Sequence, residues 1–231
     1  MTAIPDAPSP GTRRRALVAE GVSLARGRRT IQRELSFRLE GGQALLLTGA
    51  NGTGKSTLLR ALAGFLTPSV GRIFVDGADS DTPRAQLCHL CGHLDGIKAQ
   101  LTVRENLTFW ASFLQSVDRR GPGDDTVAAA LSQFKLDGLA EIPAAYLSAG
   151  QKRRLGVARL LVAARPIWLL DEPTVSLDAA SVALLLAAMS RHLADDGMIV
   201  AATHVALPLP GARELRLGGG ATALAAESAG L

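Results

Sequence analysis

Ala44-Leu45-Leu46-Leu47-Thr48-Gly49-Ala50-Asn51-Gly52-Thr53-Gly54-Lys55-Ser56-Thr57 decides the fold of this chain. The apolar run Leu45 to Leu47 reads as a buried strand, and the spacing from Thr57 to Phe65 predicts a helix. Between them lies Gly49-x-x-x-x-Gly54-Lys55-Ser56. A strand, a glycine loop and a helix in that order form a phosphate cradle. The glycines let successive amide N–H groups turn inward, and the helix N-terminus adds partial positive charge behind them. Lys55 is placed to reach the outer phosphates of a bound chain, and the Ser56 hydroxyl to hold a divalent cation.

Working outward, strand-like runs lie at 17–22, 35–39, 44–49 and 72–75, and again at 167–170 and 198–202, with a helical stretch at 179–194 between the last two. Strands that alternate with helices predict an α/β fold with a mainly parallel sheet. Residues 94–156 carry no convincing strand and read as a helical insertion, with Gly121-Pro122-Gly123-Asp124-Asp125 as a loop inside it. Residues 1–13 and 218–231 are read as loose tails around one domain at 14–217.

Hydrophobic residues make up 47% of the chain and charged residues 20%, which excludes an intrinsically disordered class. The net charge of +4 comes from arginine more than lysine, and each arginine cluster, 153–154 included, is read as a solvated face. No run reaches the ~18 apolar residues that span a bilayer; 155–170 is interrupted by Arg159 and Arg165. The N-terminus lacks the apolar segment of a secretory signal. These features predict a cytoplasmic chain, which needs another subunit for any membrane process.

Four further segments surround the cradle. In Ile167-Trp168-Leu169-Leu170-Asp171-Glu172-Pro173-Thr174 a buried strand ends in two acids. Asp171 is expected near a Mg²⁺ ion and Glu172 near the outermost phosphate, where it would polarise an attacking water. In Leu147-Ser148-Ala149-Gly150-Gln151, Ser148 and Gln151 form a capping box for a helix at 152–164, while Ala149 and Gly150 leave amides bare at its positive end. Ser176-Leu177-Asp178 follows the acidic pair, and His204 follows the strand 198–202, where its imidazole would bond the outer phosphate and report its loss.

These segments, in this order, resemble the Walker A, signature, Walker B, D-loop and H-switch of the ATP-binding-cassette ATPases over residues 16–217. The resemblance implies a P-loop NTPase core of RecA type with an N-terminal antiparallel β part. It implies ATP and Mg²⁺ as ligands, and hydrolysis coupled to transport. The expected site comprises Glu172, His204 and Lys55 as catalytic groups. Gly49, Ala50, Asn51, Gly52, Thr53, Gly54, Lys55, Ser56 and Thr57, with Ser148, Ala149, Gly150, Gln151 and Asp178, would contact nucleotide, and Ser56 and Asp171 the metal. Two cassettes pair head to tail in this family, so a homodimer beside transmembrane permease subunits is expected at the cytoplasmic face of a bacterial inner membrane. No nucleic acid partner is expected.

Gly92-His93-Leu94-Asp95-Gly96-Ile97-Lys98, the stretch Leu101-Thr102-Val103-Arg104-Glu105-Asn106-Leu107, and Ile142-Pro143-Ala144-Ala145-Tyr146 before the signature are similar to the haem-exporter ATPases of bacterial cytochrome c maturation. Haem would then be an indirect partner, as cargo of the complex or as the load of a released chaperone. The alternatives are a cassette for another solute, lipid or peptide, or a soluble cassette acting on nucleic acid or ribosomes.

Two departures from the family pattern stand out. The glutamine expected before Leu101-Thr102-Val103 is replaced by His93-Leu94, and Leu24-Ala25-Arg26-Gly27 offers no aromatic for adenine. Arg26 is either a stacking plane or a surface arginine. Cys88-His89-Leu90-Cys91-Gly92-His93 is not the C-x-x-C-H of covalent haem attachment, and if 87–91 is a strand its residues three apart face opposite ways, so the two cysteines are not expected to share an ion. Thr102 and Glu105 predict a second capping box. On the helix that follows, Leu107, Trp110, Leu114 and Val117 form a core stripe, while Phe109 and Phe113 are either core or the lining of a groove for a membrane subunit's helix. His192 is expected to be half-exposed at the surface.

Overall fold

The computed structural model describes residues 15–27, 29–79, 81–92, 96–114 and 124–218. The expected tail 1–13, all but Gly218 of the expected tail 218–231, His93-Leu94, Val117, the glycines of the 121–125 loop and the side chain of Arg26 lie outside the described residues.

Two sheets carry the fold. Strands β1 (Ala16–Arg26), β2 (Arg29–Glu40) and β4 (Val70–Asp76) form an antiparallel sheet of order β2-β1-β4. Strands β3 (Ala44–Thr48), β5 (Cys88–Cys91), β6 (Ile167–Asp171), β7 (Met198–Ala202) and β8 (Arg213–Arg216) form a parallel sheet of order β5-β6-β7-β3-β8. The α/β expectation with an antiparallel N-terminal part is met, and the boundaries of β7 are those read from the sequence.

The parallel sheet is covered on both faces, so its strands are continuous apolar runs rather than alternating ones. Period-two alternation still sorts their side chains. Ile167, Leu169, Met198, Val200 and Ala202 point toward the antiparallel sheet and α1 (Lys55–Leu62), whereas Trp168, Leu170, Ile199 and Ala201 point to the helical side. Cys88 belongs to the first of these cores and Cys91 to the second. They cannot share an ion, and no cluster of three metal-binding side chains occurs among the described residues.

After the short α2 (Arg84–Leu87), the insertion contains α3 (Val103–Leu114) and α4 (Asp124–Gln133), and leads into α5 (Ala149–Ala158); α6 (Ala179–Ala194) then lies between β6 and β7. Both capping boxes form. The Glu105 and Gln151 amides donate to the Thr102 and Ser148 hydroxyl oxygens at 3.1 and 3.2 Å, and each box is closed by a 2.8 Å bond from the Thr102 or Ser148 amide to the Glu105 or Gln151 side-chain oxygen.

Several local expectations are corrected. Asp124 and Asp125 open α4 instead of lying in a loop. Helix α5 starts at Ala149 and passes into a 3₁₀ turn at Arg159–Leu161, so it is shorter than 152–164. The 153–154 pair is not simply solvated: Arg153 is buried, and so is Arg159, whose guanidinium donates to the Leu90 carbonyl at 2.7 Å. His192 turns inward and stacks on Trp168 with ring centroids 4.0 Å apart. A side chain at Gly197 would collide with that imidazole, so the glycine is what lets the ring lie there. Phe113 is 67% exposed, which rules out a core role.

Candidate functional site

The C-terminal edge of the parallel sheet holds a cleft of about 490 Å³ lined by Ile31, Asn51, Gly52, Gly54, Lys55, Ser56, Thr57, Arg60, Asp171 and Glu172. β3 delivers the glycine loop and β6 the two acids. Because β7 lies between β3 and β6, its C-terminal end carries His204 to the same edge. Ligands of open α/β sheets bind at this edge.

The loop is gripped from three sides. Gly49 (φ 127°) has its Cα against the Leu217 carbonyl and Gly54 (φ 98°) against the Ile31 side chain, so a methyl group at either place would collide. At these two positions glycine is required both by conformation and by space. From β2 the buried Gln32 donates its amide to the Thr53 carbonyl at 2.7 Å. A trans peptide sets its C=O and N–H in opposite directions. Holding the Thr53 carbonyl toward Gln32 therefore turns the Gly54 N–H away from that side chain. Gly218 packs on Thr53 from the third side.

Lys55 is buried, and its Nζ donates to the Gly49 carbonyl at 2.7 Å and the Ala50 carbonyl at 3.3 Å. His204 Nε2 lies 3.1 Å from Lys55 Nζ, 2.8 Å from Asn51 Oδ1 and 3.4 Å from Glu172 Oε1. An imidazole that accepts from lysine or donates to an amide oxygen or carboxylate sits at the crossing of both walls. Glu172 has φ 48°, a conformation costing about 1–3 kcal/mol away from glycine. Its amide donates to the Ala202 carbonyl at 2.9 Å, tying the acid to the end of β7. Ser56 and Thr57 from α1 and Asp171 and Glu172 from the end of β6 present hard oxygen donors to a cleft that Lys55 and Arg60 of α1 also line.

The remaining expected residues are elsewhere. Ser148, Ala149 and Gly150 form the N-terminal tip of α5, with Ser148 and Ala149 exposed, and Ser148 to Gln151 contribute nothing to this cleft. Asp178 caps α6, accepting from the Ser181 amide at 2.7 Å; hydrogen bonding from the Ser181 side chain, and then from its amide, holds the carboxyl below the usual range. Ile31, Gln32 and Arg60 were not anticipated. Arg60 stands one helical turn after Ser56 on the same face, a signal present in the sequence. Ile31 and Gln32 reach the loop only through the packing of one sheet on the other.

A sequence profile described as ABC transporter matches residues 32–175. Cytochrome c biogenesis ATP-binding export protein CcmA of Rhodopseudomonas palustris (strain HaA2) is 48% identical over 89% of this chain and 99% of its own length. The protein of that name from Mesorhizobium japonicum is 47% identical over 87% of this chain and 98% of its own length. The chain belongs to the ABC transporter family of ATP-binding proteins. Among solved structures, an ATP-bound bacterial Atm1-family ABC exporter matches with TM-score 0.75 and 26% identity over 94% of this chain and 39% of that one. A dimeric ATP-binding cassette with ADP and phosphate matches with TM-score 0.74 over 87% of this chain and 94% of that one; at 21% identity it shows the fold alone. As an ABC ATPase, the chain binds nucleotide and couples ATP hydrolysis to transport. Among the described residues, no helix is long and apolar enough to cross a membrane.

Proposed function

We propose that the cleft takes MgATP, that the chain works as a head-to-tail homodimer on transmembrane permease subunits, and that the complex serves haem export or haem-chaperone release in cytochrome c biogenesis. The observation that carries this reading is the convergence of Lys55, Asp171, Glu172 and His204 on one cleft, in a chain 48% identical to a cytochrome c biogenesis export protein. Lys55 would neutralise the outer phosphates, and the loop amides would bind them without reorganising. Glu172 would orient the attacking water, and His204 would contact the transferred phosphoryl group. Ser56 and Asp171 would hold Mg²⁺, which screens phosphate charge when bound; the hard oxygens and the need for phosphate ligands to complete the sphere suit that ion. The Ser148–Gln151 tip and Asp178 would face the nucleotide held by the second copy.

The permease contact is assigned to α3. Phe109, Trp110 and Phe113 pack ring on ring with centroids 5.4–5.9 Å apart, and Lys98 lies over Phe109 at 4.3 Å. The exposed Phe113 end of this cluster would receive a short helix of the membrane subunit, placing the chain on the cytoplasmic face of the inner membrane. The test is deletion of the gene followed by measurement of c-type cytochromes, with complementation by wild type, Lys55→Ala and Phe113→Ser. Only wild type should restore cytochromes fully, and Phe113→Ser should keep its ATPase. Normal cytochromes in the deletion strain would remove the haem assignment.

A further inference from the structure

We propose that Arg153 is a positioning residue for hydrolysis, holding Glu172 in place and linking it to the signature end of α5. This rests on the ATPase reading above. Arg153 is only 4% exposed. Its Nη2 donates to the Glu172 carbonyl at 2.8 Å and the Asp171 carbonyl at 3.3 Å, and its Nη1 to the Gly92 carbonyl at 3.1 Å. One rigid guanidinium fork therefore joins three segments: α5, the acidic end of β6, and the residue following β5.

The location gives the contact its meaning. Glu172 stands in a strained left-handed conformation, which persists only when its surroundings over-determine it. The Ala202 carbonyl fixes its amide from one side and Arg153 fixes its carbonyl from the other. The carboxylate is thus aimed by two bonds to its own backbone. Arg153 is two residues beyond Gln151, in the first turns of the helix whose tip Ser148 caps. Any shift of that tip moves the guanidinium, and with it the Glu172 backbone. Lysine offers a point charge and cannot bridge three carbonyls with fixed geometry. Arg153 lines no part of the nucleotide cleft, so it acts through Glu172 and not on the nucleotide.

The test uses the complex isolated from membranes through a tag on this chain. Arg153→Met should lower kcat by about 10- to 100-fold, while equilibrium affinity for a non-hydrolysable ATP analogue stays within about threefold of wild type. Arg153→Lys should fall between the two. In single-turnover measurements with labelled ATP, adding Arg153→Met to Glu172→Gln should slow the reaction no further, because the group being positioned is already disabled. Three results would overturn the proposal. These are a wild-type kcat in Arg153→Met, an equal further loss in the Glu172→Gln background, or a loss of nucleotide affinity as large as the loss of turnover. If Arg153→Met does not fold, the same three outcomes are read from Arg153→Lys. A wild-type complex without ATPase activity would instead strike the functional reading itself.

Discussion

On the proposed reading the glycine-loop cleft and the tip of α5 both serve phosphate chemistry, yet they are built in opposite ways. In the cleft the central groups already have partners: Lys55 two carbonyls, the Thr53 carbonyl Gln32, and His204 Asn51 and Lys55. At the α5 tip, Ser148 and Gln151 satisfy each other, while Ala149 is exposed and Gly150 half-buried, with no side chain beyond a methyl to cover the helix end. A preorganised cleft can bind nucleotide within one chain. A bare helix end becomes useful only when a phosphate is brought to it. The contrast separates affinity, which should reside in the first region, from turnover, which should need the second.

The sharpest way to break this division is Ala149→Asp. An acid at a helix N-terminus favours the helix itself by about 0.3–1 kcal/mol, so folding is not at risk. Facing a phosphate about 4 Å away, the same carboxylate costs on the order of 4 kcal/mol at an effective dielectric constant near 20. Turnover of the complex should fall several-hundredfold while nucleotide affinity of the isolated chain is unchanged. Equal loss of both, by ATPase assay and equilibrium binding, would mean that the tip belongs to its own chain's cleft.

Gly54→Ala attacks the other side. The methyl meets Ile31 and the residue must keep a positive φ, which together should weaken nucleotide binding about 100-fold. Trimming the obstruction with Ile31→Ala should recover part of that loss, about tenfold, because the two changes share a contact. Binding equal to wild type in Gly54→Ala would show that the loop moves freely on its supports. Gln32→Met keeps the shape and removes the donor. The Thr53 carbonyl then loses a buried partner, at a cost of about 1–3 kcal/mol, read as weaker binding of ATP and ADP alike. A purely structural role would lower the melting temperature and leave the affinities alone.

What the sequence makes legible follows from how local each determinant is. The glycine loop, the acids closing β6, the capping boxes and α6 are encoded in consecutive residues; β6 and α6 lie where the sequence places them, whereas α1 and α5 each start and end earlier than the 57–65 and 152–164 expected. Gln32 and Ile31 act on a loop 21 to 23 positions away, across the meeting of two sheets, so nothing in their neighbourhood marks them. Arg153 shows the same limit more sharply. Beside Arg154 it reads as surface charge, yet backbone carbonyls from two distant strand ends satisfy a guanidinium in the interior. His192 likewise looks amphipathic on its helix until Trp168 and the space over Gly197 are brought beside it.

The smallest expected effect lies outside both regions and serves as their control. His89 is buried on β5 with Nε2 as donor to the Ala163 carbonyl at 2.9 Å, and burial lowers its pKa to about 3 from an ordinary 6.5. The folded state keeps the ring neutral where the unfolded chain protonates it. Its stabilising contribution is therefore complete above about pH 6.5 and is lost progressively as the pH falls toward 3. At pH 5 the loss is set by the unfolded value and amounts to about 2 kcal/mol relative to pH 7.5. His192, whose pKa burial also lowers, adds to the slope in the same direction. Glutamine at position 89 offers an amide donor for the Ala163 carbonyl and does not titrate. Chemical denaturation of His89→Gln at pH 7.5 and 5.0 should show a smaller acid loss than wild type, with nucleotide affinity and turnover unchanged at pH 7.5. An undiminished acid loss would mean that other groups carry the pH dependence. A change in turnover would mean that β5 is coupled to the cleft and cannot serve as a neutral reference for either half of the site.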